Sequence, residues 1–234
     1  MLNRVKVFLN LGFKEEEAVS INKEVEVVLD NKELSFSFVR FYERYAKGIV
    51  QGLKEIDVLK VQELAKDLVL TRENGGQIFI LGNGGSALNA QHFATDLAAI
   101  RYTDDQYHFD VRALTNNWGV FTAAANDWGY KNVFKSQLRS ALTPLDTVIA
   151  ISSSGNSENV VEAVRFANKR GALSWAIVGF DGGELLHTAK KSLYLPSKKG
   201  QYGFMEDLTS IISHIVTVFI QEIDKKNGAV PLVR

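Results

Sequence analysis

The chain has 234 residues, 46% of them hydrophobic, enough to bury a full core in one α/β domain with an appendage. Its 27 basic and 27 acidic residues balance without a long like-charge block, which excludes the electrostatic footprint of a nucleic-acid or anionic-membrane binder and favours small ligands. Absence of cysteine excludes disulfides, thiolate metal sites and cysteine nucleophiles.

The N-terminal "MLNRVKVFLNLGFKEEEAVS" carries an apolar run too short and too interrupted for a signal peptide, and no apolar span of 18 residues is read anywhere. A cytoplasmic protein is the expectation. Residues 1–35 are assigned to a helical extension of one or two short helices, with Val25, Val27, Val28 and Leu29 leaving some strand character. In the next segment Phe36, Val39, Tyr42, Tyr45, Ile49, Leu53 and Ile56 recur at helical spacing. This predicts one helix from about Ser35 to Leu53 and a second from about Val58 to Arg72.

From Gln77 the rhythm changes. Short apolar runs, "IFIL", "VRAL", "TVIAI", "SWAIVGF" and "SLYL", alternate with helical stretches, the pattern of parallel strands buried on both faces. The core is therefore read as a layered α/β sheet of about five strands. Ligands in such sheets bind beyond the carboxyl ends of the strands, so the loops there carry the functional argument.

The first of these loops, "GNGGSALN", places Gly82, Gly84 and Ala87 in the G-x-G-x-x-A dinucleotide spacing. Gly84 and Gly85 allow close backbone approach to a ligand, and Ser86 is read as a helix cap. A dinucleotide site also requires an acidic residue at the end of the second strand. That strand, read as roughly Tyr107 to Leu114, ends in "TNN", and Asp104 and Asp105 precede it.

The helix that follows carries His92 and Asp96 four residues apart, on one face. Singly, each is a common packing residue. Together they form a pair able to hold a metal or to share proton transfer. Between the second and third strands Asp127 either contacts a ligand or caps the next helix, and capping is the plainer choice. After the third strand, "SSSGNSENVVEAV" puts Ser152, Ser153, Ser154 and Ser157 within six residues, with Ser157 at the apparent N-cap. A lone capping serine explains only Ser157. Three further hydroxyls beside free helix amides suit a phosphate without any lysine or arginine.

The C-terminal helix "GFMEDLTSIISHIVTVFIQEI" carries Glu206 and His214. Their eight-residue separation is about 12 Å along a helix and about 80° around it. One metal gripped by both from this helix is strained. Either Glu206 precedes the regular helix, or the two serve sites completed by different subunits.

Together, "LGNGGSALNAQHFATDL", "AANDWGYKNVF", "ISSSGNSENVVEAV" and the spaced Glu206 and His214 resemble the bacterial sedoheptulose 7-phosphate (phosphoheptose) isomerases of the sugar isomerase, or SIS, superfamily. The similarity covers roughly Phe36 to Glu222. It implies a SIS domain over residues 36–234, a three-layer α/β/α sandwich around a five-stranded parallel sheet. It also implies a homotetramer with active sites at subunit interfaces, and isomerisation of sedoheptulose 7-phosphate to a heptose 7-phosphate used for surface heptose and lipopolysaccharide synthesis.

By the same resemblance, Ser152, Ser153, Ser154 and Ser157 fall on the phosphate loop, Asn83 and Ser86 on the sugar-contacting glycine loop, and Asp127 on a substrate-contacting aspartate. His92 and His214 match two histidines of the metal-binding and catalytic cluster. Asp96 stands where the family has glutamate, Glu206 where it has glutamine, and Gly203 where it has an aspartate. Two histidines and two carboxylates, His92, Asp96, Glu206 and His214, are expected to bind one zinc or similar divalent ion per site. Asp96 and His214 are assigned the proton transfers. The alternative is a non-catalytic SIS protein that senses a phosphosugar or binds a replication initiator. A nicotinamide oxidoreductase is a distant third.

Overall fold

The computed structural model describes residues 38–100 and 102–230. The described residues fall into two units that divide between Val50 and Gln51. The expected helices within residues 1–35 lie outside the described residues.

Helix α1 (Phe38–Glu55) carries a row of mutually tilted rings along one side, the Phe38–Phe41 and Phe41–Tyr45 centroids 6.4 and 6.1 Å apart. The helical period is as read, but its aromatic stripe is not sealed: Tyr42 is 62% and Phe38 57% exposed. Helix α2 (Val58–Glu73) begins at Asp57, whose carboxylate accepts from the backbone N–H of Leu59 and Lys60. This satisfies two of the donors that a helix start leaves unpaired.

Five parallel strands follow: β1 (Ile78–Leu81), β2 (Val111–Ala113), β3 (Thr147–Ser152), β4 (Leu173–Val178) and β5 (Lys191–Tyr194). Their order in the sheet is β2-β1-β3-β4-β5. Register is continuous, with Ile80 beside Ile149, Ile149 beside Trp175, and Trp175 beside Lys191. Every residue of β1 and β3 is buried, which is why these strands read as unbroken apolar runs.

The intervening helices are α3 (Gly85–Ala98), α4 (Trp118–Trp128), α5 (Val133–Ala141), α6 (Glu158–Lys169) and the short α7 (Leu185–Thr188). The long α8 (Tyr202–Lys226) closes the chain. On one face of the sheet Phe79, Val148 and Ala176 pack with Phe134 of α5 and Val160 and Val164 of α6. Strand alternation sends Ile80, Ile149 and Trp175 to the opposite face, and all are fully buried. The result is a three-layer α/β/α sandwich.

Two expectations need correction. The second strand is only Val111–Ala113, preceded by a 3₁₀ turn at Asp105–Tyr107, because the aromatic residues before it pack elsewhere. The Arg72 guanidinium lies over the Phe109 and Tyr107 rings, at 4.6 and 5.5 Å, and donates to the Tyr107 carbonyl. The other correction concerns α8, which is long and apolar enough to cross a membrane by length and composition alone. Its apolar run combines a buried stripe, Met205, Leu208, Ile212, Val216 and Ile220, in a helix packed against α2 and α3, with the exposed Ile215, Val218 and Phe219. An ion pair anchors its far end: Arg72 Nη1 and Nη2 donate to Asp224 Oδ2 and Oδ1 at 2.8 and 2.7 Å, with both side chains almost wholly buried.

Candidate active site

Strand β1 connects to its neighbour on one side, β2, and the chain then returns to the other side as β3. Such a reversal opens a crevice at the carboxyl ends of β1 and β3. The glycine loop leaves β1 there and the serine loop leaves β3.

Gly82 is required by contact: a Cβ would lie 2.7 Å from the Ser86 carbonyl oxygen and 2.9 Å from that of Ile151. Gly84 is the α3 N-cap at φ +54°, and no side chain caps this end. Ser86, expected to cap, lies inside the first turn and is buried. The helix starts earlier than its first hydroxyl because Gly84 adopts a left-handed φ at little steric cost.

Glu206, in the first turns of α8, places its carboxylate so close to Gly85 that any side chain at position 85 would overlap it. A fixed negative group therefore faces the start of α3, where a dinucleotide would need its pyrophosphate. At the end of β2, where a ribose-binding carboxylate would stand, Thr115 accepts from Gln91 at 3.0 Å. Asp104 instead accepts from Gln106 within its own turn. The glycine spacing thus lacks the rest of a dinucleotide site.

In the serine loop, Ser152 Oγ accepts from Gly155 N–H and Ser154 Oγ from Asn156 N–H, while Ser153 Oγ donates to the Met205 sulfur. Accepting leaves the Ser152 and Ser154 hydroxyl protons available to an anion. Ser157 is the α6 N-cap by backbone, as read, yet its side chain makes no capping hydrogen bond. The residue that a purely structural role explained best is the one without that role. Gly155, at φ +65°, passes so close to the Gly182 carbonyl that no Cβ fits.

Asp127 does not cap a following helix. It lies exposed in the last turn of α4, beside Asn126, whose amide donates to it at 2.8 Å. A carboxylate near a helix C-terminus is disfavoured by the helix dipole, so capping does not account for it.

His92 and Asp96 project from α3 and His214 from α8. His92 Nε2 is 3.2 Å from His214 Nε2, and Asp96 Oδ2 is 3.5 and 3.4 Å from the two nitrogens. Asp96 Oδ2 is itself buried without a hydrogen-bond partner. A tetrahedral cation with bonds of about 2.0–2.1 Å spaces its donors about 3.3–3.4 Å apart, close to these three separations. The orphaned oxygen and two imidazole nitrogens therefore fit a divalent cation. Among the described residues they are the group of metal-ligating side chains brought together. Glu206, two helical turns away along α3 at Gly85, is not in it. The helix is regular from Tyr202, so the eight-residue spacing keeps Glu206 and His214 apart within one chain. Gly203 sits exposed in the first turn of α8.

Residues outside the sequence-based set hold this geometry. Asn89 donates to the Glu206 carbonyl and accepts from Ser210, locking α3 to α8 beside His92 and His214. Its place one turn before His92 was the available signal. Asn159 and Tyr130 both reach Asn83. Nothing in their local sequence marks contacts 76 and 47 residues away.

The SIS domain family matches residues 41–179. A phosphoheptose isomerase from Sulfurimonas denitrificans is 37% identical over 163 residues, covering 70% of this chain and 82% of the relative. The chain belongs to the SIS-domain phosphoheptose isomerase family. A phosphoheptose isomerase from Aliarcobacter butzleri is 36% identical over 160 residues, covering 68% of this chain and 82% of its own. In three dimensions the phosphoheptose isomerase GmhA of Neisseria gonorrhoeae superposes with a TM-score of 0.70 at 28% identity, covering 79% of this chain and 96% of that one.

Proposed function

We propose that the chain is a sugar-phosphate isomerase that interconverts sedoheptulose 7-phosphate and a heptose 7-phosphate. The observation that carries this reading is the convergence of His92, Asp96 and His214 on one point, in a family whose relatives are named phosphoheptose isomerases. A pure binding module has no use for an orphaned buried carboxylate oxygen facing two imidazoles.

The serine loop takes the phosphate. Ser152 and Ser154 donate their hydroxyl protons, Ser157 supplies an uncommitted hydroxyl, and the first amides of α6 add the positive end of a helix dipole. This remote binding energy aligns the reacting carbons. Moving the carbonyl from C2 to C1 removes a proton from C1, passes through an enediolate and returns a proton to C2, with the hydroxyl proton moving from O1 to O2. Asp96 and His214 are the acid–base groups in this reading. Asp96 has a second carboxylate oxygen besides the one facing the histidines, so it can both face a cation and take a proton. Zinc or a similar divalent ion held by His92, Asp96 and His214 would supply positive charge against the enediolate. The strongly exposed Leu88, Ile215 and Val218, on the two helices that carry the triad, support an assembly of several copies. A cytoplasmic location accompanies this reading.

The test is elemental analysis together with turnover. Purified protein should hold about one divalent ion per site and interconvert the two phosphosugars, and a chelator should abolish that activity. Metal-free protein with no turnover on any six- or seven-carbon sugar phosphate, yet retaining a protein partner such as a replication initiator, would overturn the proposal.

A further inference from the structure

At the switch point one hydrogen-bonded unit joins three loops. Asn83 Nδ2 donates to Asn159 Oδ1 at 2.8 Å, and Asn159 Nδ2 donates back to Asn83 Oδ1 at 2.9 Å. Tyr130 Oη donates to the same Asn83 Oδ1 at 2.9 Å. Asn159 is buried in the first turn of α6, just after the serine loop. Tyr130 stands in the turn between α4 and α5, and the next residue, Lys131, pairs at 3.0 Å with Glu158, the neighbour of Asn159. Of two adjacent residues of the turn, Tyr130 is thus tied to the glycine loop and Lys131 to the first turn of α6.

An asparagine side chain offers two N–H donors and two carbonyl lone pairs. In Asn83 both lone pairs are engaged, one by Asn159 and one by Tyr130. One N–H is engaged by Asn159. A single N–H remains. We infer that Asn159 and Tyr130 are positioning residues that lock the Asn83 amide, so that it presents one donor and no acceptor to the sugar. The inference rests on the isomerase reading for its kinetic consequence. The group that meets Asn83 is then an oxygen acting as acceptor, a carbonyl, an enediolate oxygen or a hydroxyl lone pair. The same clamp holds the glycine loop at a set distance from the serine loop, which fixes how far the phosphate lies from the sugar oxygens.

The test uses Tyr130→Phe, a substitution at an exposed residue that keeps the ring and its edge contact with Phe121. With sedoheptulose 7-phosphate as substrate, kcat should fall about 10- to 100-fold, the range for misplacing a group that orients substrate. Inhibition by inorganic phosphate, which reads the serine loop alone, should stay within twofold. Asn159→Ala should lower kcat at least as much. In an Asn83→Ala background, Tyr130→Phe should cause no further loss, because its effect runs through Asn83. An unchanged kcat in Tyr130→Phe, or an undiminished effect in the Asn83→Ala background, would overturn the inference.

A second readout needs no turnover. The Asn83 side-chain amide resonances in a ¹⁵N correlation spectrum should shift in Tyr130→Phe and in Asn159→Ala while the backbone spectrum stays folded. Unmoved resonances refute the clamp. An inactive wild type in which those resonances do respond would refute the isomerase reading and leave the clamp standing.

Discussion

Replacing Asp224 by alanine removes one half of a buried ion pair whose partner cannot neutralise itself. Arg72 would keep its hydrogen bond to the Tyr107 carbonyl and its contacts with two rings, but would lose both carboxylate bonds, at 2.7 and 2.8 Å. Its Nε already lacks a partner. With side-chain exposures of 4% and 1%, water cannot compensate without opening the junction of α2 and α8. Breaking such a pair costs about 3–5 kcal/mol. At roughly 2–4 °C per kcal/mol for a unit of this size, the midpoint should fall by roughly 6–20 °C. Thermal unfolding followed by circular dichroism at fixed metal and protein concentration measures it. Replacing both partners with apolar residues, Arg72→Met with Asp224→Leu, should recover most of the loss, since neither charge is left buried alone. A midpoint within 2–3 °C of wild type for Asp224→Ala, or a double variant as unstable as the summed singles, would refute this account.

At the triad, Asp96→Asn should weaken zinc binding and lower kcat at least about 100-fold; isothermal titration and turnover check it, and unaltered zinc affinity would remove Asp96 from the ligand set. Zinc at 100 times its dissociation constant should raise wild-type stability by about 2.7 kcal/mol, a gain that His214→Ala should abolish. Ser157→Asp should leave the melting midpoint equal or higher, because an aspartate is a good N-cap, while abolishing inhibition by inorganic phosphate; retained inhibition would place the phosphate elsewhere. Hydrogen bonds from Lys191 first, and then Lys60, hold the Glu63 carboxyl below its ordinary value of 4.5. A lowered folded-state pKa means stability that is fully present above 4.5 and lost as pH falls through the folded value. Because Glu63 is about one-third exposed, the contribution should stay below about 1 kcal/mol, visible as a shallower acid transition in Glu63→Gln.

Much of the architecture was legible from short-range pattern. Unbroken apolar runs such as "IFIL" and "TVIAI" signal strands covered on both faces, and helical periodicity located α1 and α2 to within a few residues. The second strand is shorter than its apolar pattern suggests because Tyr107 and Phe109 look like strand residues but pack on Arg72. The exposed ring stripe of α1 likewise shows period without revealing what surrounds it. The four-residue spacing of His92 and Asp96 by itself puts them on one face of α3.

What the sequence determined by itself is what local chemistry controls: the alternation of strands and helices, the glycines that let a backbone turn or approach closely, and the neighbours one helical turn apart. Tertiary structure decided everything that depends on long-range closure. It brought His214 to within 3.2 Å of His92 across 122 residues and kept Glu206 at Gly85 instead. It left Ser157 uncapping at the very position where a cap was expected. It also joined Asn83, Tyr130 and Asn159 at a strand reversal. The reason is geometric: a helix or strand sets the direction of its own side chains, but which of them meet depends on sheet order and helix register, and no segment encodes those alone.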